Sequence, residues 1–166
     1  MAIREILVYP DPRLNETSKP VSELTPQVVT LIKDMIETMY ARDGGGLAAV
    51  QVGVHLRIFI VDPTLAGGTK KDEAMVFINP EILEMHGEEL RDEGCLSFPG
   101  VWVPRKRAKT TTIRARDLNW EEFEMTGEGI VSRAFQHESD HLDGRLLIEP
   151  LTGLRRKMAL RRLSTR

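Results

Sequence analysis

The chain of 166 residues contains a single cysteine, Cys95, and so forms no internal disulfide, which suits a reducing, cytoplasmic compartment. That lone thiol is then a buried filler, a nucleophile or a metal ligand. No apolar run approaches the roughly 20 residues that span a bilayer. The first residues, Met1 to Glu5, lack the charged-then-apolar pattern of a secretory signal. These two absences set aside the membrane and secreted classes. Internal repeats, low-complexity tracts and linkers are missing too, so residues 1–166 are expected to form a single domain. Acid is absent after Glu149. Residues 150–166 carry six basic side chains (Arg155, Arg156, Lys157, Arg161, Arg162 and Arg166), and removing those six from the formal net charge of −2 leaves −8 for the rest. A basic end on an acidic body points to an anionic partner.

What is present is organised around Gln136-His137-Glu138-Ser139-Asp140-His141. Two histidines four apart on a helix lie on one face, one turn apart, so both rings can reach one metal ion. Glu138 follows the first histidine and can take a proton from water activated by the metal. Ile130, Ala134 and Leu142 recur at near-helical spacing, and Gly144 is the expected stop. A chance HExxH on a core helix is the bland reading.

Upstream, residues 3–9 are expected to form a short strand ended by Pro10. Thr25 and Pro26 read as the cap and first position of a helix with Val29, Ile32, Ile36, Met39 and Tyr40 inward, closed by Gly44. Gly44-Gly45-Gly46 lacks the following Gly-Lys-Ser/Thr of a phosphate loop, so on its own it reads as a turn. Arg57–Asp62, Met75–Asn79, Glu81–Leu90, Thr110–Asp117 and Glu121–Met125 are predicted strands, with a Gly-rich loop at 66–70 and Ile82 and Met85 inward. After Pro150, residues 150–166 read as a basic amphipathic helix whose stripe of Leu151, Leu154, Met158 and Leu163 docks on the body. The expected fold is α+β, with antiparallel strands around the central HExxH helix, an N-terminal helix and a C-terminal amphipathic one.

A catalytic metal site takes three protein ligands. The extended HExxH pattern with a third downstream histidine needs one at position 147, where Leu147 stands, and no acid follows Glu149. His55, His86, Cys95 and upstream carboxylates remain. Cys95 is the best physical choice, a soft thiolate beside the permissive Gly94. His55 and His86 sit among charged residues and read as solvated.

Three blocks then carry a resemblance: Gly44-Gly45-Gly46-Leu47-Ala48-Ala49-Val50-Gln51, Glu93-Gly94-Cys95-Leu96-Ser97, and Gln136 to Gly144 with its HExxH. In order and spacing they resemble the bacterial peptide deformylase family. The resemblance implies hydrolysis of the formyl group from the N-terminal formyl-methionine of nascent polypeptides by metal-bound hydroxide. It implies Cys95, His137 and His141 as ligands of one divalent ion, Fe2+ in the cell, with Zn2+, Ni2+ or Co2+ as substitutes. Glu138 is then general base and acid. The Gln51 amide and the Leu96 N–H would steady the developing oxyanion, and Gly45, Gly46, Gly94, Ile130 and Arg133 would line the substrate site, Gly46 pairing with the peptide as an added strand. The basic end would meet the ribosome. Gly45 stands where relatives usually have a branched aliphatic, and Arg91 where apolar residues also occur; both bear on substrate preference. A small HExxH zinc peptidase is the alternative, but it leaves the Glu-Gly-Cys-Leu-Ser block unexplained.

Overall fold

The computed structural model describes residues 2–64 and 74–163. Helix α1 (Pro26–Ala41) begins as expected: the Thr25 side chain accepts from the Val28 N–H at 3.2 Å, with Pro26 in the first turn. Its buried stripe is Val28, Leu31, Ile32, Met35 and Met39, with Val29 turned half outward. Strands β1 (Gly46–Ala48), β2 (Ile58–Val61), β3 (Met75–His86), β6 (Thr110–Arg116) and β7 (Glu122–Glu128) form one antiparallel sheet in the order β1-β2-β3-β6-β7. Strands β4 (Glu89–Glu93) and β5 (Val103–Arg107) make a separate two-stranded ribbon.

The run Ile58-Phe59-Ile60-Val61 is buried on both faces, which is why it is apolar without alternation. Ile58 and Ile60 join the cluster under α1, while Phe59 and Val61 join Phe77 and Ile113 against helix α2 (Ile130–Leu142). The sheet is thus sandwiched between α1 and α2. On α2, Phe135 packs edge-on against Phe77 with ring centroids 5.1 Å apart. Its opposite stripe, carrying the histidines, is left for the ribbon. A second core of Leu14, Phe98, Val103, Leu147 and Ile148 lies where the ribbon's connecting loop meets the turn after α2.

Several expectations are corrected. Residues 3–9 form no strand, although the Leu7 N–H donates to the Gln51 carbonyl at 2.7 Å and the Tyr9 N–H to that of Ser97 at 2.9 Å. The two strands expected at 75–79 and 81–90 are one as far as His86, β3, bent by a register shift between Ile78 and Glu81 where Asn79 takes a φ of 52°, and Glu89 and Leu90 already belong to β4. Met85 is exposed rather than inward. The loop expected at 66–70 lies outside the described residues. Helix α3 (Gly153–Leu160) docks through Ala159, Leu160 and Leu163 and leaves Leu154 and Met158 67% and 52% exposed, so the expected stripe faces partly outward. Among the described residues no helix is long and apolar enough to cross a membrane.

Candidate metal centre

Periodicity does the first assembly step. Arg133, His137 and His141 follow at four-residue intervals on α2 and are all buried. The His137 and His141 Nε2 atoms lie 3.2 Å apart, and Cys95 Sγ lies 3.3 Å from His141 Nε2. All three donor atoms fall within 4.8 Å of one another. Cys95 arrives from the loop joining β4 to β5, two residues beyond Glu93. His55 and His86 are elsewhere, paired with Glu16 at 3.3 Å and Glu84 at 3.2 Å.

A second layer aims these ligands. His137 Nδ1 donates to Glu93 Oε2 at 2.7 Å, which leaves Nε2 as the ring nitrogen that could take a metal. Burial alone would raise the Glu93 pKa, but the hydrogen bonds from His137 and Arg107 outweigh it and hold Glu93 well below the usual carboxylate range. Arg107 grips it with two donors, Nε to Oε1 at 3.0 Å and Nη2 to Oε2 at 2.7 Å, and sends Nη1 to Asp140 at 2.7 Å. The donor set suits a borderline divalent cation: two imidazoles and a thiolate converge with a carboxylate behind one of them. The His141 Nδ1 has no hydrogen-bond partner among the described residues.

Glu138 is buried, and burial raises its carboxyl pKa to about 7 despite the opposing pull of His137. Its Oε1 has no partner among the described residues. Its Oε2 sits where a Gly46 side chain would begin: a Cβ there would lie 2.6 Å from it. Gly46 is therefore glycine for space. Gly44 and Gly94 are crowded likewise, by Leu96 Cδ1 at 2.6 Å and by the Trp102 ring at 2.8 Å from an added Cβ.

Gln51 is buried, with its amide oriented by the backbone. The Ala48 N–H donates to Oε1 at 3.0 Å, which turns Nε2 toward Ser97 Oγ at 3.0 Å and Cys95 Sγ at 3.6 Å. Since the Ala48 N–H points away from β2, the two-residue alternation of a strand gives Gly46 the same free side. A cavity of about 470 Å³ joins these parts, lined among others by Gly44, Gly45, Gly46, Gln51, Gly94, Cys95, Leu96, Ile130, Arg133, His137 and Glu138. Every residue expected at the site lines it except His141, which stands behind Cys95 and His137. Arg133 differs from expectation in one respect: Nη1 and Nη2 of its guanidinium donate to protein acceptors, while the buried Nε has no partner among the described residues.

Sequence reasoning assigned no role to Glu93, Ser97, Arg107, Asp140 or Trp102. Glu93 and Ser97 were within reach, because both belong to the Glu93–Ser97 block. Arg107 and Trp102 carry no sequence signal: Arg107 reaches Glu93 and Asp140 from the ribbon, and Trp102 lies just before β5 against Gly94.

An HExxH helix, a cysteine third donor and a buried near-neutral carboxyl define a metallohydrolase-type site. The polypeptide deformylase family profile matches residues 3–157. The peptide deformylase of Acidobacterium capsulatum is 45% identical over 98% of this chain and 95% of its own. The crystal structure of a peptide deformylase from Legionella pneumophila superposes with a TM-score of 0.90 at 45% identity, covering 96% and 92% of the two chains. That of Ehrlichia chaffeensis in complex with actinonin gives 0.89 at 34% identity, covering 97% and 95%. The chain belongs to the polypeptide deformylase family, and with it to the hydrolases.

Proposed function

We propose that this chain removes the formyl group from formyl-methionine at the N-terminus of nascent polypeptides in the cytoplasm. The observation that carries the reading is the meeting of Cys95, His137 and His141, the Glu138 carboxyl and the Gln51 amide around one cavity beside a free strand edge. Cys95 Sγ, His137 Nε2 and His141 Nε2 would hold one divalent ion, Fe2+ in the cell, with Zn2+, Ni2+ or Co2+ as substitutes. Such an ion, when bound, polarises a carbonyl and lowers the pKa of water toward neutrality.

The chain's own groups supply the rest. A carboxyl with a pKa of about 7 suits Glu138 to take the water proton and return it to the departing amine. Gln51 Nε2 and the Leu96 N–H donate to the formyl oxygen as negative charge builds on it. The Gly46 backbone pairs with the peptide as an added strand next to β1. Gly45, Gly94, Ile130 and the stem of Arg133 wall the pocket for the methionine side chain. Outward Leu154 and Met158, among the basic side chains of α3, make a mixed apolar and cationic face for the ribosome.

Turnover of formyl-Met-Ala-Ser tests the reading against the acetylated and unblocked peptides. Release of formate from the formyl peptide alone is expected. Internal cleavage of longer unblocked peptides by the same protein would instead mark a peptidase.

A further inference from the structure

Arg133 is 7% exposed on the helix that carries both histidines, one turn before His137. Its Nη1 donates to Glu93 Oε1 at 3.0 Å and to the Arg105 carbonyl at 2.9 Å; its Nη2 donates to the Glu89 carbonyl at 2.8 Å. Glu89 lies in β4 and Arg105 in β5, so one guanidinium ties both strands of the ribbon to α2. Residues at i and i+4 of a helix grasp the two oxygens of a single carboxylate: Arg133 takes Oε1 and His137 takes Oε2. Beyond His137, Arg107 runs the other way, from β5 to Asp140 on α2. Glu93 is thereby bracketed on both sides of the histidine it orients.

We propose that Arg133 is a positioning residue for the metal centre. It sets His137 through Glu93, and it sets Cys95 by fixing the ribbon whose connecting loop carries that thiol. The inference rests on the proposed ligand set of Cys95, His137 and His141. A pure pocket wall would need only the apolar stem of Arg133; the head instead donates to three protein acceptors. Lysine is no equivalent, since its ammonium lacks the planar fork that reaches a carboxylate and carbonyls of two strands together.

The test uses the Co2+-loaded protein. Release of Co2+ to excess EDTA and the visible d–d bands are followed in wild type, Arg133→Met, Arg133→Lys and Ile113→Val. The last trims the core between the sheet and the face of α2 opposite the histidines, and controls for general loss of stability. Arg133→Met keeps an apolar stem, and it is expected to release Co2+ on the order of 10-fold faster, with altered bands. Arg133→Lys should fall between it and wild type, and Ile113→Val should match wild type. Wild-type rates and bands in Arg133→Met, with only KM for formyl-Met-Ala-Ser raised, would make Arg133 a pocket wall and overturn the proposal. Equal acceleration in Ile113→Val would overturn it too. If Arg133→Met does not fold, Arg133→Lys decides: release as slow as wild type refutes the positioning role. Failure of wild type itself to retain Co2+ would strike at the ligand set instead, which separates the two readings.

Discussion

Glu138 and Gly46 compete for one small volume, and this makes an unusual pair of variants informative. Glu138→Gln should keep fold and metal yet lose turnover by about 10²-fold or more, because the amide takes no proton. Gly46→Ala should do similar harm by another route, since its methyl would press on Glu138 Oε2 from 2.6 Å and displace the flexible carboxylate. Formate release with metal content measured in parallel checks both. Normal turnover in the alanine variant would mean that Glu138 works from another position. At the same scale, the chain's two tryptophans differ in setting: Trp102 lines the cavity and is 60% exposed, whereas Trp120 stacks with Arg116 at 4.9 Å. Met-Ala-Ser, the peptide product of the proposed reaction, should shift the emission of wild type and leave that of Trp102→Phe unchanged if it seats in the cavity. The histidines and Glu138 were legible because a helix imposes a period on its sequence. The tie of Arg107 to Glu93 and Asp140 was not, because contacts between helix and ribbon leave no fixed spacing. Gly46 was legible as a glycine that mattered, yet its reason, the carboxylate beside it, needed coordinates.

Among the elements, α1 also anchors the chain's beginning. Buried Asp34 accepts from the Ala2 N–H at 2.7 Å and from Arg4 Nε at 2.9 Å, while Thr38 takes the Arg4 N–H at 2.8 Å. The Ala2 hydrogen bond and then Arg4 outweigh burial and lower the Asp34 pKa from its ordinary 3.8. A depressed folded-state pKa gives stability that is complete above the unfolded value and is lost as pH falls through the folded one. Asp34→Asn should therefore be less stable than wild type near neutrality, and the gap should close below pH 3.8. Urea melts across that range check it; a constant gap would deny the linkage. Residues 3–9 read as a strand, but they form no ladder: their backbone meets Thr38 Oγ1 and the isolated carbonyls of Gln51 and Ser97. The bend in β3 escaped notice because Pro80 reads as a strand end, whereas Asn79 clasps Val21 through both its amide atoms at 2.8 Å and holds the strand together across the shift.

For the molecule as a whole, a cation that binds only the folded chain adds stability by mass action, about 2.7 kcal/mol at a hundredfold excess over Kd. Stripping metal should lower Tm by roughly 5–10 °C for a chain of this size. Cys95→Ala should start near the stripped value and respond little to added metal. Calorimetry with and without Co2+ checks this. The helix α3 is the part least legible from sequence, since Leu154 and Met158 looked like core and are surface. Truncation after Gly153 should reduce ribosome co-sedimentation at low salt while sparing hydrolysis of short peptides; Leu154→Ser with Met158→Ser should reproduce part of the loss. Unchanged co-sedimentation in both would remove α3 from that contact. Finally, β1 is only three residues long and among the described residues pairs with β2 alone, with Gly46 lining the cavity on its other side. A partner laid along so short an edge has to arrive as an extended, unengaged end, because a terminus already paired into its own sheet has no free hydrogen-bonding groups to offer. On the proposed function, the competitor for substrate is then the folding of the substrate itself: a protein that buries its first residues soon after they emerge would close a time window, and slow folders would leave it open.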